Sequence, residues 1–165
     1  MNASLRVAVK YGLFVSSALI AYFLLLKLFG LHENPWLRLF NGIIMAAGIY
    51  FAIKYYKMMT GESFTYVDGF KTGLIAGFIA TVIFTVVMGV YIFHLDKEFT
   101  RNILRDRFDD TDQGASILII IILIEGLAST AVLSLTCMQI FKKSQNVGQQ
   151  ENLVEHKKED DVSNT

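Results

Sequence analysis

Four long apolar segments constrain the fold of this chain more than any other feature. They cover about residues 11–31, 37–56, 72–93 and 116–141 of the 165. An α-helix rises about 1.5 Å per residue, so about 20 residues cross a hydrocarbon core about 30 Å thick. Because lipid cannot hydrogen-bond an exposed backbone, apolar segments of this length cross the bilayer as helices. The sequence therefore predicts an all-α integral membrane protein.

The predicted architecture is a four-helix bundle that forms one transmembrane domain over residues 1–143. We place its helices at about 8–31, 36–56, 70–93 and 116–141, and Asp68 is expected to cap the third. A short turn around Pro35 joins helices 1 and 2, so these two helices are expected to form an antiparallel hairpin.

The segment between helices 3 and 4 and the C-terminal tail differ from the helices in their residue patterns. Between helices 3 and 4, hydrophobic residues recur at helical spacing among charged ones: Phe99, Ile103, Leu104 and Phe108. This spacing predicts a short amphipathic segment that lies on the membrane surface or over the mouth of the bundle. The tail at 144–165 has many charges and few aromatic residues, a composition typical of disorder.

Basic residues near the helix ends predict the orientation in the membrane. The side that holds both termini carries seven of them: Arg6, Lys10, Lys54, Lys57, Lys71, Lys142 and Lys143. The other side carries six: Lys27, Arg38, Lys97, Arg101, Arg105 and Arg107. These six lie mostly in one loop rich in acids, so we expect both termini to be cytoplasmic.

Small residues predict how the helices associate. Lipid is as apolar as leucine, so close backbone packing, and not the burial of leucine, holds membrane helices together. Helix 3 has a small residue at every fourth position along one ridge: Gly69, Gly73, Gly77, Thr81, Thr85 and Gly89. Helix 4 has the same four-residue spacing of small residues in Gly126, Thr130 and Ser134. We expect a tight bundle with helix 3 at its centre; the alternative is that this ridge is a homodimer face or a sliding surface.

Glu125 is the acid expected near the middle of the membrane, nine residues into helix 4. An acid at that depth costs about 2.5–3.5 kcal/mol and is usually paired or protonated and turned towards the bundle interior. Lys27, Arg38 and Asn41 approach from the same side, so these four residues form a candidate intramembrane polar site. One hypothesis is that Glu125 fixes helix packing, and the other is that it relays protons or cations.

Several classes of function have no support in the sequence. There is no glycine-rich phosphate loop, nucleophile elbow or paired metal-ligand motif, so we predict a non-enzymatic protein without cofactor, metal or catalytic residues. The 15 basic and 15 acidic residues balance, which gives no indication of nucleic-acid binding. The single cysteine, Cys137, excludes a disulfide within the chain and is expected to be a small packing residue.

Several short motifs resemble a family of small bacterial membrane proteins of unknown function, DUF4199, which is common in the Bacteroidetes. The motifs are Lys10-Tyr11-Gly12-Leu13, Ala52-Ile53-Lys54-Tyr55-Tyr56, Ser63-Phe64 and Gly69-Phe70-Lys71-x-Gly73, within a similarity that spans about residues 5–143. The resemblance implies four membrane helices in a bacterial inner membrane. It implies no activity and assigns no role to any residue.

The expected function is that of a structural or accessory subunit. Such a protein would contact the lipid bilayer and pack with itself, as a homo-oligomer, or with another membrane protein. The alternative is a small proton- or ion-coupled transporter or channel that uses Glu125. Replacement of Glu125 by glutamine discriminates the two, because an accessory protein should tolerate it and a proton-coupled transporter should not.

Overall fold

A computed structural model of the chain describes residues 3–31, 35–95 and 116–141. Its four long helices are α1 (Ala3–Leu28), α2 (Pro35–Thr60), α3 (Tyr66–Val90) and α4 (Ser116–Phe141). A 3-10 turn, Gly61–Ser63, follows α2, and a π turn, Tyr91–Leu95, extends α3. All four helices are long and apolar enough to cross a membrane, and the described residues contain no strand. The prediction of an all-α protein with four membrane-spanning helices is confirmed.

The helix ends differ from the predicted ones because the helices continue beyond the apolar segments. α1 begins at Ala3, five residues earlier than predicted, and α2 extends to Thr60. Gly61 then adopts a φ of +53°, a left-handed conformation that glycine reaches without strain, and this ends α2. The predicted amphipathic segment at 99–108 and the tail at 144–165 lie outside the described residues.

Thr65, and not Asp68, is the N-cap of α3. Its hydroxyl oxygen accepts a hydrogen bond from the Asp68 backbone N–H at 3.2 Å and donates to the Asp68 carboxylate at 2.7 Å. This reciprocal pair satisfies a backbone donor that the first turn of a helix leaves open. The prediction of Asp68 as the cap is therefore wrong by three residues, and α3 starts at Tyr66.

Helix α3 lies at the centre of the bundle and contacts each of the other three helices. On one side it packs against α1, where Gly12 approaches the backbone carbonyl of Ala76. On another side, Gly73 lies against Ile53 of α2 and Ser134 of α4. The small residues of α3 permit these approaches, which is the central position that the sequence predicts.

The apolar core is divided along the length of the bundle into two main clusters. One contains Val15, Ile49, Ile53, Met138 and Phe141, and it extends towards the end of the bundle where α1 begins. The other lies towards the opposite end and contains Phe23, Met88, Tyr91, Ile92 and Leu118. Residues from all four helices contribute to the first cluster or pack against it, so the bundle closes around a shared interior.

Candidate functional site on the fourth helix

Helices α3 and α4 pack antiparallel in a regular register of small residues. Each step of four residues forward along α3 meets a step of four residues backward along α4. The facing pairs are Gly69 with Met138, Gly73 with Ser134, Gly77 with Thr130, and Thr81 with Gly126. At the end of the row Gly89 lies at ordinary contact distance from Ile119. The small residues predicted as a packing ridge therefore form the α3–α4 interface.

The middle of this interface holds buried hydroxyl groups. The Oγ1 atoms of Thr81 and Thr130 lie 3.4 Å apart and form a hydrogen bond between the two helices. Thr85 Oγ1 and Ser134 Oγ are buried too, without a hydrogen-bond partner in the part of the chain that the structure describes. Hydroxyls are small enough to fit against glycine, so they serve packing here and bring no titratable group into the interior.

The α3–α4 register fixes the depth of Glu125. Its neighbour Gly126 faces Thr81, which lies 15 residues from Tyr66 and 12 from Phe93, the two ends of the third membrane span. Glu125 is therefore level with the middle of the third membrane span. This is the depth that counting residues along helix 4 predicts.

The side chain of Glu125 lies on an exposed face of α4, although it also interacts within its own chain. The prediction that Glu125 points into the bundle is therefore wrong. Successive residues of an α-helix are separated by about 100°, so Thr130 and Ser134 project about 140° and 180° away from Glu125. Those two residues are buried against α3, which turns the carboxyl towards the surroundings of the bundle.

Lys27 lies at a different depth from Glu125. Its Nζ atom is 4.3 Å from the centre of the Tyr91 ring, at the end of the bundle where α1 finishes. Tyr91 is ten residues beyond Thr81 along α3, a distance of about 15 Å along the helix axis. The fold therefore places Lys27 and Glu125 at different depths, and not beside each other as predicted.

The other two members of the predicted polar site belong to α2. Asn41 is half-buried, and its Oδ1 atom is buried without a hydrogen-bond partner among the described residues. The side chain of Arg38 lies outside what the structure describes. Within the described residues, no group of three His, Cys, Asp or Glu side chains could hold a metal ion.

A row of exposed residues along α4 was not recognised from the sequence, and Glu125 lies within it. We call this row the outward seam; it consists of Ile121, Glu125, Ala128, Val132, Leu135 and Gln139. The intervals alternate between four and three residues, which is the spacing that keeps one helix face against a neighbouring helix in a left-handed pair. The 4-3 spacing is visible in the sequence, but no polarity pattern there distinguishes the outer face from the inner one.

Cation–π contacts mark the end of the bundle where α1 begins. The Nζ atoms of Lys10 and Lys54 lie 5.8 and 5.9 Å from the ring centres of Tyr55 and Tyr50. Lys57 Nζ lies 5.4 Å from the ring of Phe141. Lysine and aromatic side chains of this kind anchor helices at a membrane–water interface, so these contacts belong to the position of the bundle in the bilayer.

Comparison with known proteins identifies a family and nothing more. The family model described as "Protein of unknown function (DUF4199)" matches residues 10–143, from α1 to just beyond α4. This confirms the resemblance seen in the sequence motifs. No curated protein and no solved structure matches the chain.

Proposed function

This chain belongs to the DUF4199 family, whose description assigns no activity, and we propose that it is a structural or accessory subunit of a membrane assembly. In this proposal it associates through the outward seam of α4 with a second copy of itself or with another membrane protein. The observation that carries the proposal is the position of Glu125, at mid-membrane depth on an exposed face.

The energetic argument starts from the cost of an acid in hydrocarbon. An acid at the centre of a membrane helix costs about 2.5–3.5 kcal/mol on insertion scales. A neighbouring helix that packs over this face shields Glu125, which also interacts within its own chain, from lipid and so lowers this cost. The exposed position of Glu125 therefore favours association of α4 with another helix.

The buried share of each helix also favours α4 as the helix that contacts a partner. In the most apolar window of each span, 28%, 33% and 39% of α1, α2 and α3 is buried inside the bundle, against 11% of α4. Of the four spans α4 therefore has the smallest buried share, which favours it as the helix that meets a partner. An accessory subunit needs one such helix, attached firmly to the bundle on one side and open on the other.

The proposed setting is the inner membrane of a bacterium, with both termini in the cytoplasm. Basic residues near the helix ends favour this orientation, because they are retained preferentially on the cytoplasmic side. Lys10, Lys54 and Lys57 lie together at the end of the bundle where α1 begins, each over an aromatic ring, and we assign that end to the cytoplasm. In this role the protein is not an enzyme.

The transporter alternative receives no support from the described residues. A proton or ion pathway through the bundle requires polar side chains that face a space between its helices. Glu125 faces outward instead, and the buried hydroxyls of the α3–α4 interface are packed against glycine.

Site-specific photo-crosslinking in native membranes tests the proposed function. A photoreactive amino acid is placed at Val132, on the outward seam, and in a matched variant at Ile120; these side chains are 62% and 54% exposed. The two positions point about 120° apart around the helix. We expect protein adducts from Val132 and essentially none from Ile120. Adducts with lipid alone at both positions would refute a subunit that associates through this seam.

A further inference from the structure

We propose that Lys54 and Lys57 of α2 bind the headgroup of an anionic phospholipid, with one of its acyl chains along the exposed apolar surface of the same helix. This lipid site is separate from the outward seam, so it goes beyond the accessory role and does not depend on it. Three observations carry the inference. They are the placement of the two ammonium groups, the absence of an ion pair to either of them among the described residues, and the apolar stripe beneath them.

Two lysines and two aromatic rings form one cluster where α2 meets the end of α4. The rings of Tyr50 and Phe141 are stacked, with their centres 5.4 Å apart. Lys54 Nζ lies 5.9 Å from the centre of the Tyr50 ring. Lys57 Nζ lies 5.4 Å from the centre of the Phe141 ring and 5.8 Å from that of Phe64. Residues 50, 54 and 57 point within about 60° of one another around the helix, so both ammonium groups occupy the same side of α2.

The positive charge of this cluster is not balanced by the part of the chain that the structure describes. Neither Lys54 nor Lys57 forms an ion pair there, and the Asp68 carboxylate instead accepts a hydrogen bond from the Thr65 hydroxyl at 2.7 Å. Like charges one turn apart on a helix repel each other, so an anion that contacts both lysines relieves this repulsion. The aromatic rings hold the two cations in place, and the three N–H groups of each ammonium can still donate to the oxygens of an anion.

The location of the cluster selects the kind of anion. Lys54 and Lys57 lie in the last two turns of α2, among the lysine and aromatic side chains typical of a membrane–water interface. The anion that a bilayer presents at this level is lipid phosphate, and basic sites between membrane helices bind such headgroups. A headgroup without a cation of its own, such as phosphatidylglycerol, leaves the phosphate charge to the two lysines. Each ammonium then donates a charge-assisted hydrogen bond to a phosphate oxygen.

An apolar stripe of α2 beneath the cluster fits an acyl chain. Ile43, Ala47 and Phe51 are exposed at intervals of four residues, on the same side of the helix as Lys54. Ile43 lies about 16 Å from Lys54 along the helix axis, which is about half the thickness of the hydrocarbon core. Cations at the level of the headgroups and an apolar surface as deep as one leaflet fit an amphiphile. A free inorganic anion would use only the first of these two features.

Quenching of tryptophan fluorescence by lipids with brominated chains tests the site. Trp36 is the only tryptophan of the chain, so the full chain with Trp36→Phe and Phe51→Trp carries a single reporter on the stripe. It is reconstituted in phosphatidylcholine vesicles that contain brominated phosphatidylglycerol or, for comparison, brominated phosphatidylcholine with the same chains. We expect phosphatidylglycerol to be preferred at the reporter by at least about fivefold, which corresponds to about 1 kcal/mol. No preference would overturn the inference, whatever else occupies the lysines.

Two matched double variants in the reporter chain separate a defined site from general attraction to a charged end of the bundle. Lys54→Gln with Lys57→Gln should abolish the preference for phosphatidylglycerol. Lys10→Gln with Lys71→Gln removes the same charge from the same end of the bundle, and should leave the preference within about twofold of the parent value. An equal loss in the two double variants would show that only net charge matters, and would overturn the site.

A charge-retaining variant checks that the loss is due to the cations and not to a damaged fold. Lys54→Arg with Lys57→Arg keeps both positive charges and all donors close to the headgroup, so it should retain the preference for phosphatidylglycerol. Elution of every variant as a folded particle in detergent accompanies the measurement. A folded arginine variant without the preference would show that the two charges do not hold the lipid, and would overturn the inference.

Discussion

Thr130 of α4 occupies the space in which a side chain on Gly77 of α3 would lie. A Cβ atom built on Gly77 would overlap the Thr130 side chain, and one turn further along α3 the relationship is reversed, with Thr81 2.5 Å from a Cβ on Gly126. Glycine and threonine thus alternate across the interface. This complementarity sets the rotation of α4 about its axis, and that rotation places Glu125 on the outside.

Gly77→Ala is expected to destabilise the bundle by about 1–3 kcal/mol, because the added methyl group overpacks against Thr130. The matched control is Gly42→Ala on α2, where a Cβ would meet nothing within 4 Å. That change should be neutral or stabilise by up to about 1 kcal/mol, since alanine favours helix more than glycine does. Thermal unfolding in detergent measures both, and equal effects at the two sites would exclude a tight contact at Gly77.

The hydrogen bond between Thr81 and Thr130 is expected to show a measurable coupling energy. Thr81→Val and Thr130→Val each keep the shape and remove one hydroxyl of the pair, which lies 3.4 Å apart. In a double-mutant cycle the coupling should be about 0.6 kcal/mol, the average found for polar contacts between membrane helices. Reversible unfolding in mixed detergent is the measurement.

The control for this cycle is Thr136→Val, because the Thr136 hydroxyl is exposed and donates only to the Val132 carbonyl of its own helix. It should show no coupling to Thr81. A zero coupling between Thr81 and Thr130 would mean that the two hydroxyls contribute through their size alone.

The contact between Lys27 and Tyr91 is expected to stabilise the end of α1 against α3. Lys27→Met should destabilise by about 0.5–1 kcal/mol, because it removes the cation over the ring at 4.3 Å. In a Tyr91→Leu background the same change should have almost no effect. Thermal unfolding of the four proteins tests this, with Lys10→Met, whose ammonium lies 5.8 Å from the Tyr55 ring, as the weaker comparison. Equal effects of Lys27→Met in the two backgrounds would contradict a cation–π contact.

The orientation in the membrane is expected to leave Ser63 in the cytoplasm and Leu31 outside. Both residues are exposed, at opposite ends of the bundle. In a Cys137→Ser background, Leu31→Cys should react with an impermeant maleimide added to intact cells, and Ser63→Cys should react only after the membrane is opened. The reverse pattern would invert the orientation that the basic residues predict.

The number of membrane helices and the depth of Glu125 could be predicted from the sequence because both depend on local properties. The length of an apolar segment and the rise per residue of a helix suffice to place four spans, and the count from Ser116 places Glu125 near mid-membrane. The small residues of α3 likewise predict its central position, since glycine at every fourth position leaves one side of the helix open to close approach.

The direction in which Glu125 points was decided by the tertiary structure. In water, a polar face and an apolar face distinguish the outside of a helix from its inside, but in lipid both faces of α4 are apolar. The Gly126, Thr130 and Ser134 row marks the inner face, and an acid is usually assigned to the same side because lipid disfavours it. Steric fit against Gly77 and Gly73 outweighs that preference, so α4 turns its small residues inward and Glu125 outward.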